Sequence, residues 1–150
     1  MAVRVQHEPI DIGTELTALL HGRTDIGGLA SFTGVVRDRS GDEPITAMTL
    51  EHYPGMTEAR LAAIEAEAHR RWPLHTSLIV HRVGRMLPGE VIVLVAATSS
   101  HRAAALDATA FLIDWLKTRA PFWKAEEIGG EARWVEARAA DDTAAARWER

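Results

Sequence analysis

A chain of 150 residues, 47% hydrophobic and 25% charged, is long enough to bury one core and has the composition of an ordinary globular domain spanning residues 1–150. A net charge of −4 excludes a general basic field for nucleic acid or anionic lipid, and the lack of cysteine excludes disulfides, thiolate metal sites and a cysteine nucleophile. No apolar run approaches the ~20 residues of a membrane span, and "MAVRVQHEP" has no signal-peptide pattern, so the cytoplasm is the expected compartment.

In chain order, "VRVQ" (Val3–Gln6) alternates as a short strand. "DIGTELTALLHG" predicts a helix capped by Asp11 or Thr14, with Leu16, Leu19 and Leu20 as its apolar stripe and Gly22 as its stop. "GGLASFTGVVRD" predicts a buried strand entered through Gly27 and Gly28. After the polar turn "RDRSGDEP", "ITAMTLEHY" alternates, and the two segments are expected to pair as an antiparallel hairpin. "MTEARLAAIEAEAHRRWP" is an amphipathic helix capped by Thr57, with Leu61, Ile64 and Ala68 at helical spacing and Pro73 at its end.

"TSLIVHRVGRM" and "EVIVLVAATSS" are β-branched apolar runs that predict two core strands joined through Pro88-Gly89. "SSHRAAALDATAFLIDWLKTRAP" predicts the longest helix, capped by Ser99 or Ser100, with Ala104, Phe111, Ile113 and Leu116 inward and Pro121 beyond its end. "FWKAEEI" and "ARWVEA" are expected to pair around Gly129-Gly130, and "DDTAAARWER" to form a short, frayed terminal helix. The order β-α-β-β-α-β-β-α-β-β-α predicts an α+β fold with a mixed or antiparallel sheet.

The chain has no dinucleotide fingerprint, phosphate-binding loop or nucleophile elbow. Its histidine spacings suit no metal, and His7, His21, His69 and His75 are expected to be solvated or capping residues; no cofactor or metal is predicted. What remains is a set of cations at the ends of apolar elements: Arg37 after "SFTGVV", His101 and Arg102 at a helix start, and Lys117 and Lys124 seven residues apart around Pro121, Phe122 and Trp123. A helix N-terminus beside an arginine receives an anion well, and a lysine among aromatics can serve in proton transfer. Each also has a plain structural reading: helix-dipole pairing for Lys117, a strand-edge charge for Lys124, hairpin decoration for Arg37. Patterning alone therefore leads to an α+β domain with a candidate anion pocket.

Five stretches in order, "FTGVVRD", "LEHYPGMTE", "HRVGRMLPGE", "TSSHRAAALDA" and "DWLKTRAPFWKAE…RWVEAR", closely resemble the family of the large, catalytic subunits of molybdopterin synthase. The resemblance implies an α/β-hammerhead-type fold and a homodimer that binds two small ubiquitin-like sulfur-carrier subunits, giving a heterotetramer. Each carrier would insert a C-terminal Gly-Gly thiocarboxylate tail. The implied reaction transfers two sulfurs to cyclic pyranopterin monophosphate (precursor Z), forming the dithiolene of molybdopterin. This chain ends in "RWER" and has no cysteine for a persulfide, so sulfur is expected to arrive on the partner.

Carried over by motif, Lys117 is the leading catalytic residue, set against the tail's carbonyl end, and Lys124 is the second. Val35, Val36 and Arg37 are assigned to the substrate pocket, His101 and Arg102 to the phosphate, and Ala125 and Glu126 to the wall beside Lys124. The chain departs from the family at Val35, where a lysine is common and any contact would be through the backbone, and at Ala125, where an arginine is common. His52, Tyr53 and Pro54-Gly55 read as structural. Two other readings stay open: a carrier-binding module without chemistry, which would not need the lysine pair, and a stand-alone binding protein for a phosphorylated metabolite.

Overall fold

The computed structural model describes residues 1–135 and 139–149. The elements run β1 (Ala2–Gln6), α1 (Ile12–Leu20), β2 (Gly28–Val35), β3 (Arg39–Ser40), β4 (Glu43–Pro44), β5 (Ala47–His52), α2 (Met56–Arg71), β6 (Leu74–Arg82), β7 (Gly84–Met86), β8 (Val91–Ser99), α3 (Arg102–Arg119), β9 (Phe122–Ile128), β10 (Glu131–Val135) and α4 (Ala139–Ala146). This is the predicted α+β order with three short strands added. The end of the predicted last strand, Glu136 and Ala137, lies outside the described residues.

Two four-stranded sheets carry the fold. One has the order β1-β6-β8-β2, with β1 parallel to β6 and the other pairs antiparallel; the other is antiparallel, β10-β9-β5-β7. The apolar run of β8 has no alternation because both of its faces are covered. Val93 and Val95 join the core with Leu61 and Ile64 of α2 and Phe111, Leu112 and Leu116 of α3. Leu94 and Ala96 turn to the opposite side, where Leu16 and Leu19 of α1 pack.

The expected hairpin between "GGLASFTGVV" and "ITAMTLEHY" does not form. β2 pairs with β8 and β5 with β9 and β7, so the two strands belong to different sheets, and "RDRSGDEP" folds into the small ribbon β3–β4. Nor is β2 fully buried: it is an edge strand, with Phe32 42% and Val35 48% exposed. The caps also differ from expectation in two helices. α2 starts after Gly55 (φ 84°), and Thr57 lies inside the first turn, donating its hydroxyl to the Tyr53 carbonyl at 2.8 Å. α3 starts after His101 with no side-chain cap, whereas α1 is capped by Asp11, which accepts from the Thr14 amide.

α3 is held at both ends. Near its start, Gly27 donates its amide to the Ser99 carbonyl at 2.9 Å and passes so close to the Ser100 carbonyl that a Cβ would collide with it. Further along, the fully buried Phe111 ring packs against Trp72, Trp115 and Trp148 with centroids 5.4, 4.5 and 5.8 Å away. Trp148 also donates its indole N–H to Asp114 at 2.8 Å, and its carbonyl accepts from Arg71 at 2.6 Å, tying the residues after α4 to α3 and α2. The helix that ends at Lys117 and Arg119 is therefore rigidly aimed.

Candidate functional site

A cavity of about 330 Å³ opens where the C-terminal end of α3 meets the second sheet, a size that suits a small-molecule or peptide-tail ligand. Its lining follows from strand alternation. On β5, Met48 and Leu50 lie in register with Glu126 and Lys124 of β9, so two apolar and two charged side chains share one face. Ile92 of β8, Leu116 of α3 and Phe122 of β9 extend the apolar part. Val35, Val36, Arg37 and Arg39 enter from the end of β2, and Asp141 from α4.

The two lysines meet because the chain reverses between them. α3 closes at Ala120, whose carbonyl accepts from the Phe122 amide at 2.8 Å, and Pro121 stands at the bend. Phe122 then stacks on a pocket histidine and Trp123 packs on Tyr53, with centroids 4.1 and 4.8 Å apart, which fixes where β9 begins. Lys117 and Lys124 both line the cavity. They are the two lysines of the chain; the other fifteen basic residues of the seventeen are arginine. Among the described residues four cations (Arg37, Arg39, Lys117, Lys124) face two carboxylates (Glu126, Asp141), a positive balance in a chain of net charge −4.

Among the described residues the lining contains no hydroxyl or thiol side chain. Amines and guanidinium groups beside apolar side chains suit charge stabilisation and proton handling.

Of the residues singled out in the sequence, Val35, Val36, Arg37, Lys117, Lys124 and Glu126 are in the lining. Ala125 is buried in β9 but is not part of it. His101 and Arg102 lie elsewhere, exposed at the opposite end of α3. Fifteen residues of helix separate Arg102 from Lys117, about 22 Å at a rise of ~1.5 Å per residue, so one chain does not bring them together. His7 and His21 are exposed, while His69 and His75 make hydrogen bonds within the fold. His69 meets the Ser77 hydroxyl at 2.7 Å, Ser77 in turn donates to buried Glu65 at 2.6 Å, and His75 meets Ser100 at 2.9 Å. Among the described residues there is no grouping of three or more metal-ligating side chains.

The residue the sequence reading missed is His81. It is 3% exposed, lines the cavity floor and is the partner on which Phe122 stacks. Its Nδ1 lies 2.9 Å from the Arg82 carbonyl, which can only accept, so Nδ1 carries the proton. Burial pushes its pKa down to about 3, with Lys117 and His52 pushing the same way against the Arg82 hydrogen bond. The available signal was strand parity: His81 is two residues from Ile79, on the face of β6 that meets α2 and α3.

The buried neutral ring sets an acid response. Between about 3 and 6.5 the unfolded chain takes up a proton that the folded chain refuses, so folding stability falls as pH drops through that window. The slope from this one group is up to about 1.4 kcal/mol per pH unit. Thermal melts at pH 7, 6, 5 and 4 are expected to show a shallower acid loss in His81→Gln than in the parent chain; parallel curves would mean that the ring does not resist protonation.

Comparison with known proteins adds to this geometry. The family model described as MoaE protein matches residues 5–119, a span that includes Arg37, His81, His101, Arg102 and Lys117 and stops short of Lys124. The chain is 52% identical to the molybdopterin synthase catalytic subunit of Pseudomonas aeruginosa over 149 residues, covering 99% of both chains. It superimposes on the molybdopterin biosynthesis MoaE protein of Burkholderia ambifaria with a TM-score of 0.84, at 50% identity and 99% coverage of both chains. With the crystal structure of molybdopterin synthase from Staphylococcus aureus the TM-score is 0.80, at 31% identity over 88% of this chain and 95% of that one.

Proposed function

The chain belongs to the MoaE protein family, and from that membership we propose that it is the catalytic subunit of a molybdopterin synthase acting in the cytoplasm. Its substrate is cyclic pyranopterin monophosphate. Its sulfur comes from the C-terminal thiocarboxylate of a small ubiquitin-like carrier. In net terms each carrier arrives as an acyl thiocarboxylate and leaves as a carboxylate, with one pterin oxygen exchanged for sulfur; two carriers complete one dithiolene. The observation that carries this reading is the meeting of the chain's two lysines in one positive, apolar-floored cavity without a hydroxyl or thiol among the described residues of its lining.

The roles follow from charge. Sulfur transfer passes through a tetrahedral centre at the tail's acyl carbon, where an oxyanion develops, and Lys117 stabilises it and handles the proton. Lys124 and Arg37 hold the anionic reactants beside it, with the backbone of Val35 and Val36 and the Glu126 side chain completing the pocket wall. In this reading a second copy of the chain brings the phosphate-binding pair, His101 and Arg102, to this cavity, which the ~22 Å of helix between Arg102 and Lys117 within one chain supports. The exposed apolar residues Phe32 and Val35 on the β2 edge and Leu106 (58% exposed) on α3 support such an isologous contact. With one carrier at each end, the assembly is a heterotetramer.

Reconstitution tests the reading. The chain mixed with thiocarboxylated carrier and the pterin precursor is expected to form dithiolene product, and carrier lacking its last two glycines is expected to dock more weakly and transfer nothing. Absence of product with the intact carrier, together with absence of carrier binding by calorimetry, would leave a stand-alone metabolite-binding protein.

A further inference from the structure

We propose that His81 is a positioning residue for Lys117: a neutral imidazole, its Nδ1–H committed to the Arg82 carbonyl, that offers Nε2 at the cavity floor as an uncharged acceptor for the lysine ammonium. The inference rests on the role of Lys117 proposed above and deepens it.

Three features of the structure point to it. The ring cannot turn: Phe122 stacks on it at 4.1 Å with the planes 26° apart, and the Arg82 carbonyl holds Nδ1 at 2.9 Å. With Nδ1 fixed as the donor, the second nitrogen has a lone pair and no proton, so it accepts and does not donate. And His81 and Lys117 line the same cavity, close enough that the ammonium opposes protonation of the ring. Lys117 leaves α3 at the rim and is exposed in the free chain. A fixed acceptor inside the cavity positions the end of a flexible four-carbon stem toward one atom of a ligand.

Among the described residues the charged and titratable groups facing this pair are His52 on β5, Arg37 and Arg39 after β2, Lys124 and Glu126 on β9, and Asp141 on α4. A carboxylate partner would draw the ammonium in but would also neutralise the charge that an oxyanion needs. A neutral nitrogen anchors the ammonium and leaves its charge available. That difference is the physical reason for a histidine held neutral at this place. Its low affinity for protons follows from burial and keeps the acceptor available throughout the neutral range.

The test uses the full chain with carrier and precursor, and three variants. His81→Leu removes the acceptor and keeps bulk; it is expected to lower kcat by roughly 10- to 100-fold with little change in KM for the pterin. His81→Gln, which can set an amide oxygen near the position of Nε2, is expected to recover most of that loss. A readout independent of turnover comes from selective ¹³C-lysine labelling, because the chain has two lysines and Lys117→Ala assigns their signals. Removing a hydrogen-bond acceptor from an ammonium lowers its pKa, so in His81→Leu the Lys117 titration moves to lower pH while that of Lys124 moves less, and His81→Gln moves it back. Unchanged lysine titration in His81→Leu overturns the inference, as does a loss of rate that His81→Gln fails to repair. If Lys117→Ala is inactive and His81→Leu is as fast as the parent, the positioning role alone fails. If Lys117→Ala is itself active, the proposed function of Lys117 fails instead.

Discussion

Lys117→Ala is expected to lose roughly 10²- to 10⁴-fold in the rate of sulfur transfer, the range for removing a positioned proton donor or oxyanion stabiliser. The loss should fall on kcat, because the charge is needed most when the acyl oxygen becomes negative; carrier docking depends on a wider surface. Fold and assembly should survive. Lys117 is exposed in the last turn of α3, where a cation beside the helix C-terminus is worth about 0.3–1 kcal/mol. Lys117→Arg should restore only part of the rate, since a wide planar fork replaces a compact ammonium. Single-turnover measurement of dithiolene formation, alongside thermal melts, checks all three statements. Near-parental turnover in purified Lys117→Ala would remove this residue from the chemistry.

The second large effect concerns the residues at the other end of α3. Arg102→Ala and Lys117→Ala dimers should each be close to inactive. Mixed and allowed to exchange subunits, they should regain activity. In a mixed dimer one site has lost both residues and the other has lost neither, if each cavity takes Lys117 from one chain and Arg102 from its partner. Random exchange makes half of the dimers mixed, so the mixture is expected to reach about a quarter of parental activity. A site built within one chain predicts no recovery at any mixing ratio. In the Arg102→Ala dimer alone, pterin binding should weaken more than carrier binding; equal losses in two calorimetric titrations would make the α3 start a docking surface instead. The helix geometry gives this experiment its force, because about 22 Å of rigid helix cannot be closed by side-chain motion.

Much of this protein could be read directly from the chain. Leu61, Ile64 and Ala68 of α2 recur at helical spacing and are buried as that spacing requires. Gly129 and Gly130 adopt φ of 60° and 83°, and β9 and β10 pair around them as expected. From the sequence Pro121 is expected just beyond the end of α3, and the chain bends there, with Lys117 and Lys124 on either side of the bend lining one cavity. These features are local: a helix face, a turn and a capping bend are set by residues within a few positions of one another.

The tertiary structure decided the rest. The apolar run of β2 and the alternation of β5 show that each is a strand but do not name its neighbour. β2 pairs with β8, nearly sixty residues away, because burying Val93 and Val95 beneath α2 and α3 places the free edge of β8 against β2. His81 looked like any strand-end histidine until β6, α3 and β9 converged on it, fixed its proton on Nδ1 and stacked Phe122 across its ring. His101 and Arg102 belong to the same helix as Lys117, yet the rigidity of that helix keeps them from sharing a cavity within one chain. Periodicity records which side of an element is buried; which distant elements do the burying is settled by long-range packing, and the site is made where they meet.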